Sequence, residues 1–303
     1  MDVEVVTDGL VFPEGPVAMD DGSVILCEVG RGQLTRVAPD GRKTLAAETG
    51  GGPNGAAIGP DGAIWVCNNG LTHTYDHDNG VLLAAHENPA HEGGSLQRVN
   101  LSTGKVETVF DSFEGKRLVA PNDLVFDKAG GLWFTDHGVD VVDGRRYGSL
   151  YYMAPGGAAL TRARSMLVSP NGVGLSPDES VVYVADSHIS RVWAFDISGP
   201  GKVASTRGRG PGRVLLNLPG YQPLDSLGIE ADGRVCVATI QTGAITAIQP
   251  DGSFEQHLFP DPRTTNICFG GADMRDAWVT GSGLGQLFKT RWPRPGLRLN
   301  FNA

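Results

Sequence analysis

The 303-residue sequence has few cysteines, few aromatic side chains and no long apolar run. Its four Cys lie inside short apolar stretches without CxxC spacing, so we expect reduced, buried thiols and no disulfide. No stretch approaches the roughly 18 apolar residues that a membrane span needs, and the N-terminus lacks the apolar core of a signal peptide. These absences predict a soluble, cytoplasmic protein with no membrane partner.

Positive charge is also scarce: the sequence has 25 Lys and Arg against 34 Asp and Glu, and its net charge is −9. Nucleic-acid-binding proteins concentrate Lys and Arg on one surface, so we expect no nucleic-acid partner. A GxSxG nucleophile elbow is absent, and GGGPNG at 50–55 lacks the Lys of a phosphate-binding loop. The sequence therefore disfavours a serine hydrolase and a nucleotide-binding enzyme.

Glycine, in contrast, is abundant, with 43 residues, and it marks a repeated pattern. Six segments each begin with a carboxylate or carboxamide, continue with an apolar run and a polar turn, and end with a second apolar run, which is typical of a β-hairpin. The opening residues are Glu14, Asn54, Asn122, Asn171, Asp225 and Asn266. The turn comes eight residues later, at Gly22, Gly62, Gly130, Glu179, Gly233 and Met274.

The spacing of these copies predicts the architecture. They begin 40, 68, 49, 54 and 41 residues apart, and further strand-like runs follow most of them. Four short strands per copy are typical of a propeller blade, so we predict an all-β fold, a six-bladed β-propeller, as a single domain over residues 1–303. VEVV at 3–6 is expected to complete the sixth blade. A solenoid of six β units is the alternative.

The six opening residues predict a site in the central channel, because the first strand of each propeller blade lines that channel. Converging carboxylates and amides need partners when they are buried. A hard divalent cation is such a partner, and Ca²⁺ prefers oxygen ligands. The alternative is that these residues only cap turns or strands.

Four phrases resemble a known family: EGPVAMDDGSVILCEV from Glu14, APNDLVFDKAGGLWFTDHG from Ala120, SPNGVGLSPDESVVYVADS from Ser169 and DSLGIEADGRVCVA from Asp225. They are similar to the SMP-30/gluconolactonase/regucalcin family of six-bladed propellers, most closely to its bacterial gluconolactonase-like branch. The resemblance extends over nearly the whole chain. It implies a divalent-metal-dependent hydrolase that opens lactone rings, with sugar lactones among the expected small-molecule substrates.

The resemblance also implies roles for individual residues. The implied metal ligands are Glu14, Asn171 and Asp225, with Asn122 as either a fourth ligand or a residue that touches substrate and metal-bound water. The implied substrate contacts are Asn54, Asn122, Asp123 and His137. Asp225 would also be the catalytic general base. Ca²⁺ is the expected ion, with Mg²⁺, Mn²⁺ and Zn²⁺ as alternatives, and Asp123 and His137 have the alternative roles of strand cap and ordinary rim residue.

One departure from the family concerns the substrate. Some members bind sugar hydroxyls through an Arg two residues before the Asn of the PND motif, and this sequence has Ala120 there. The departure argues against a strongly hydroxylated sugar as the substrate.

Two further segments, 71–94 and 138–148, are predicted as rim or lid loops that would select the substrate. The first contains His73 and His77, at the i,i+4 spacing of a helical metal pair, but the surrounding Gly, Pro and Asp favour an exposed loop. The second offers Arg145, Arg146 and Tyr147 to an acidic or hydroxylated substrate.

Two other functions remain open. Related propellers use a similar Glu, Asn, Asn and Asp set on phosphorus esters, which suggests a phosphotriesterase of the diisopropylfluorophosphatase type. The other is a non-catalytic propeller whose metal is purely structural, since fold does not imply function. Product chemistry distinguishes the phosphotriesterase from the lactonase, and a closed ligand shell with no exchangeable water would favour the non-catalytic propeller.

Overall fold

The computed structural model describes residues 1–204 and 212–302; the predicted domain also includes 205–211 and 303, which lie outside this range. Within the described range the chain forms 31 strands and no α-helix. Three short 3₁₀ turns cover Val29–Arg31, Pro155–Gly157 and Ser187–Ile189. None of the described segments is a helix of the length and apolarity needed to cross a bilayer.

The strands form six antiparallel blades in chain order. Strand β1 (Val3–Thr7) precedes the first blade, which contains β2 (Pro13–Ala18), β3 (Val24–Glu28), β4 (Gln33–Val37) and β5 (Lys43–Glu48). The second contains β6 (Pro53–Ile58) and β7 (Ile64–Asn68) and, after a hairpin of β8 (His73–Asp78) and β9 (Val81–Glu87), β10 (Ser95–Asn100) and β11 (Lys105–Phe110). A short hairpin of β12 (Ser112–Phe113) and β13 (Lys116–Arg117) follows.

The third blade contains β14 (Pro121–Phe126) and β15 (Leu132–Asp136) and, after a hairpin of β16 (Val139–Val141) and β17 (Gly144–Arg146), β18 (Gly148–Met153) and β19 (Leu160–Leu167). The fourth contains β20 (Pro170–Leu175), β21 (Val181–Asp186), β22 (Arg191–Gly199), β23 (Lys202–Val203) and β24 (Arg213–Asn217). The fifth contains β25 (Leu224–Ile229), β26 (Val235–Thr239), β27 (Ala244–Ile248) and β28 (Phe254–Leu258). The sixth contains β29 (Thr264–Gly270), β30 (Asp276–Gly281) and β31 (Gln286–Arg291).

The two ends of the chain close the ring. Strand β1 pairs antiparallel with β31, so that Val3 lies opposite Thr290. The N-terminal strand is therefore the fourth strand of the sixth blade, and the six-bladed propeller predicted from the sequence is confirmed.

The first strands of the blades, β2, β6, β14, β20, β25 and β29, pack each against the next around the axis. The apolar core is divided into layers between neighbouring blades; Trp65 of the second blade, for example, packs with Leu124 and Phe126 of the third. All four thiols are free; three are buried, as predicted, and Cys268 is partly exposed. The inner strands thus form a rigid ring that can position polar side chains.

The turn register of the repeat is also confirmed. All six positions eight residues after an opening residue have a positive φ, from 56° to 90°. Two of them are not glycine, since Glu179 has φ 58° and Met274 has φ 56°. The copies with a poor turn residue therefore adopt the same left-handed turn as the copies with glycine.

Candidate active site

Each inner strand contains a register shift close to its opening residue. In the first blade the shift lies between Glu14 and Val17, and in the fifth between Leu224 and Leu227. The other four inner strands have the same irregularity. A bulge changes the direction of the side chains on either side of it. One strand can therefore present polar side chains to one end of the channel and apolar side chains to the other.

Glycine follows several opening residues because the inner strands pack very closely. Gly15 has φ 48°, and a Cβ there would lie 2.3 Å from the carbonyl oxygen of Asn54. A Cβ on Gly172 would lie 2.6 Å from the backbone nitrogen of Leu227. Both pairs, Glu14-Gly15 and Asn171-Gly172, lie within strands and not in turns.

Buried acceptors at the ends of the second strands hold the segments that lead into the ring. Asp136 accepts hydrogen bonds from the backbone N–H groups of Val119 (2.7 Å) and Ala120 (2.8 Å). Asp186 accepts from the N–H of Ser169 at 2.7 Å. These residues were not predicted as part of the site, although a signal for them is present: Glu28, Asn68, Asp136 and Asp186 recur at the end of the second apolar run of four copies.

Five of the six opening residues line one cleft at one end of the channel. We call this cleft the polar pocket, and its opening residues are Glu14, Asn54, Asn122, Asn171 and Asp225. His137 also lines it, together with side chains that the sequence did not single out as substrate contacts, among them Phe12, Asn69 and Tyr75. The structure thus brings together every predicted site residue except Asp123.

Asp123 and the sixth opening residue, Asn266, lie elsewhere. The carboxylate of Asp123 accepts from the N–H of Leu124 at 2.9 Å and from the N–H of Val173 at 3.0 Å, and so joins the third and fourth inner strands. Asn266 donates from Nδ2 to Oε2 of Glu14 at 3.0 Å. Both residues line a second cavity, which we call the apolar cavity.

The polar pocket is strongly acidic. Burial raises the pKa of Glu14 to about 7, against hydrogen bonds from Asn266 and Gly15 that lower it. Burial, followed by the negative charge of Glu14, raises the pKa of Asp225 well above its usual value. No Lys or Arg is among the described residues that line the pocket. Two buried carboxylates without a cation are costly to ionise together.

Two amide oxygens in the same pocket lack partners. Oδ1 of Asn54 and Oδ1 of Asn122 are buried and accept no hydrogen bond from any described residue. An unpaired buried polar group costs about 1–3 kcal/mol, so these atoms favour a ligand that supplies positive charge or a donor. Within 1–204 and 212–302 no three His, Cys, Asp or Glu side chains converge as a metal cluster. A cation here would depend on two carboxylates together with amide oxygens.

Most of the segment 71–94, predicted as a rim or lid loop, is the hairpin β8–β9. Its turn is Asn79-Gly80, with φ 50° and 83°, which fits the Asn-Gly turn that favours two-residue hairpins. The helical spacing of His73 and His77 is therefore irrelevant, since both lie on a strand. His73 lines the polar pocket, and His77 is exposed.

The hairpin β8–β9 lies over the polar pocket. Thr72, Tyr75 and Ala84 line the pocket, and the ring of Tyr75 packs on Phe12 with 4.8 Å between ring centroids. At the tip, the N–H of Leu82 donates to the carbonyl oxygen of Gly283 in the sixth blade at 2.7 Å. The hairpin thus extends from the second blade to the sixth.

The second predicted rim loop, 138–148, is also mainly a hairpin, β16–β17. Arg145 points inwards to His137, whereas Arg146 and Tyr147 line a different surface cleft. The sequence predicted that Arg145, Arg146 and Tyr147 contact a substrate. Of these three residues, only Arg145 contacts a residue of the polar pocket.

The fold and the pocket define a six-bladed propeller with an acidic, oxygen-rich site at one end of its channel. The chain belongs to the SMP-30/gluconolactonase/LRE-like family, whose model matches residues 12–283. A gluconolactonase of Zymomonas mobilis is 26% identical over 299 residues, which cover 88% of this chain and 76% of the relative.

Solved structures show the same fold. A gluconolactonase of Xanthomonas campestris superposes with a TM-score of 0.76 at 20% identity, covering 96% of this chain and 89% of the other. Regucalcin of Agrobacterium tumefaciens, a calcium-binding protein, superposes with a TM-score of 0.70 at 18% identity, covering 97% of each chain.

Proposed function

We propose that this chain is a divalent-metal-dependent lactonase that hydrolyses cyclic esters in the polar pocket, with Ca²⁺ as its ion. The observation that carries the proposal is the convergence of oxygen-bearing side chains from five blades on one pocket, two of them with unpartnered amide oxygens. Membership of a family that contains gluconolactonases supports the reaction class.

The side chains fit a hard cation. Glu14 and Asp225 would supply negative charge, and Asn122 and Asn171 would supply neutral oxygens, which together suit Ca²⁺ better than a softer ion. A divalent ion bound here would polarise a lactone carbonyl and lower the pKa of a nearby water.

The residues around such an ion have separate tasks. The side-chain amide of Asn171 lowers the pKa of Asp225, against the larger effect of burial, and so favours its ionised form. Asp225 is the general base that takes a proton from the attacking water. Asn54 and Asn122 orient the substrate through their amides. The hairpin β8–β9 limits access of bulk water.

The substrate class follows from what lines the polar pocket. No lining residue in the described part of the chain is Lys or Arg, and the short side chain of Ala120 lies where a longer side chain would enter the pocket. An anionic substrate would find no cationic partner among these side chains. We therefore favour small, uncharged lactones over sugar acids and their highly hydroxylated lactones.

The test is proton release in weak buffer from five- and six-membered lactones, with phosphate triesters in parallel. The protein is first treated with a chelator, and Ca²⁺, Mg²⁺, Mn²⁺ and Zn²⁺ are then added back singly. We expect lactone hydrolysis to disappear with chelation and to return best with Ca²⁺. Preferential triester hydrolysis would identify a phosphotriesterase. Tight metal binding without hydrolysis of any substrate would identify a non-catalytic propeller.

A further inference from the structure

Arg145 is held in one position beside the polar pocket. Its side chain is 11% exposed, and Nε donates to the carbonyl oxygen of Val168 at 2.5 Å. Nη1 pairs with the carboxylate of Asp140. Nη2 donates to the carbonyl oxygen of His137 at 2.8 Å and lies 3.0 Å from Nδ1 of the same residue. The guanidinium is thus anchored between the third and fourth blades with one edge against the imidazole.

This contact determines where the imidazole carries its proton. A guanidinium has only donors, so Nδ1 of His137 must be the acceptor. A proton on Nδ1 would point at the carbonyl oxygen of Gly138, 3.3 Å away, but would also clash with the N–H of Arg145. A neutral imidazole that accepts at Nδ1 carries its proton on Nε2.

The surroundings also keep His137 neutral. Burial lowers its pKa well below the usual value, and the charges of Arg145, His188 and His73 lower it further, against a smaller opposing effect from Gly138. His188 packs edge-on against the ring with 5.5 Å between centroids. In the described part of the chain no group accepts a hydrogen bond from Nε2, and His137 lines the polar pocket.

We propose that Arg145 fixes His137 as the Nε2–H tautomer and that this N–H donates a hydrogen bond to the carbonyl oxygen of the lactone. His137 is then a donor and not a general base. The carbonyl oxygen gains negative charge as water adds to the carbon, and a fixed donor aimed at it stabilises that charge. The inference rests on the proposed lactonase function, and Arg145 is a positioning residue that acts through His137.

The first experiment needs no substrate. Long-range ¹H–¹⁵N correlation spectra of ¹⁵N-labelled protein distinguish a protonated from an unprotonated imidazole nitrogen. We expect His137 to show unprotonated Nδ1 and protonated Nε2. In Arg145→Met both tautomers should appear, because the donor that requires an acceptor at Nδ1 is gone. Arg146→Met removes an equal charge from the same strand without contact to His137 and should leave the spectrum unchanged. Protonated Nδ1 in the unsubstituted protein would overturn the proposal.

The second experiment compares donors. His137→Phe keeps a ring but removes the N–H, and kcat should fall by about 10²- to 10³-fold, as for loss of one oxyanion donor. His137→Gln keeps an N–H donor and should retain more activity than His137→Phe. Arg145→Met should lower kcat by about 10- to 100-fold, the usual effect of losing a group that orients a functional histidine. Arg146→Met should leave kcat unchanged.

The two experiments separate failure of this proposal from failure of the proposed function. Absence of lactone hydrolysis in the unsubstituted protein would overturn the lactonase function, while the spectra would still test the contact between Arg145 and His137. Full kcat in a folded His137→Phe that hydrolyses lactones would overturn the donor role alone.

Discussion

The two ends of the channel are built by the same six strands but have opposite chemistry. Strand β25 directs Asp225 to the polar pocket, and Leu227 and Ile229 to the apolar cavity. The register shift between Leu224 and Leu227 separates the two directions. One strand therefore supplies a functional group at one end and core packing at the other, and the bulge between them allows both.

The apolar end is closed by the last residues of the chain. The N–H of Leu297 donates to the carbonyl oxygen of Ile229 at 2.7 Å, and Nδ2 of Asn300 donates to that of Phe126 at 3.0 Å. The ring of Phe301 packs on Phe126 with 5.8 Å between centroids. We infer that this end contributes stability and that a substrate enters at the other end.

The largest difference between the ends should come from Asp225→Asn. Loss of the proposed general base should lower kcat by about 10²- to 10⁴-fold. The free energy of unfolding in chelator should stay equal or rise, because burial and Glu14 raise the pKa of Asp225 and the neutral amide removes this unfavourable charge. Kinetics and urea unfolding measure the two effects. Retained kcat would remove Asp225 from the mechanism, and a large loss of stability would contradict the account of its charge.

Phe269→Ala, at the apolar cavity, should lower the stability of the fold and leave catalysis unchanged, which is the opposite of the result expected for Asp225→Asn. Phe269 is buried and packs on Trp292 with 6.0 Å between centroids. Truncation of a buried Phe costs about 3–5 kcal/mol of unfolding free energy, and the KM and kcat of the folded fraction should not change. Urea unfolding and lactone kinetics below the unfolding transition check this. A changed KM in folded protein would mean that the two ends are coupled.

Asp123→Asn tests a residue that the sequence assigned to the substrate and the structure places at the apolar cavity. Asp123 accepts from two backbone N–H groups, of Leu124 and Val173, and an amide can accept from only one of them with Oδ1. Leaving one buried N–H unpaired should lower the free energy of unfolding by about 1–3 kcal/mol, with kcat/KM unchanged. A fall in kcat/KM without a fall in stability would restore the substrate role of Asp123.

Much of this fold could be predicted because the repeat is local. The hairpin register, the turn at the eighth position and the pairing of VEVV with the last blade all follow from residues close in sequence or from ring closure. The hairpin with the Asn79-Gly80 turn could also have been predicted from the sequence, since Asn-Gly between two strand-like runs is a strong turn signal.

The rest depends on contacts between distant residues. Asn122 and Asp123 are adjacent in sequence, yet a bulge sends them to different cavities, and no composition rule predicts its position. The contact of Leu82 with Gly283 joins the second and sixth blades, and the position of Arg145 depends on its hydrogen bond to Val168, 23 residues further along the chain. The sequence could therefore identify most members of the site but not the directions of their side chains.

The smallest expected effect concerns the hairpin β8–β9, which covers the polar pocket. At the other end of the channel, the C-terminal segment is its counterpart. Leu82 is 8% exposed, and its N–H bonds to Gly283. Leu82→Asp should release the tip of the hairpin, because it replaces a buried apolar side chain by a carboxylate that is costly to bury. We expect a several-fold rise in KM, faster proteolytic cleavage within 73–87 and little change in the free energy of unfolding, since surface segments open without global unfolding.

His86→Asp, on an exposed position of the same hairpin, is the control and should change neither KM nor cleavage. An unchanged KM in Leu82→Asp, with cleavage accelerated, would show that the hairpin covers the pocket without contributing to substrate binding.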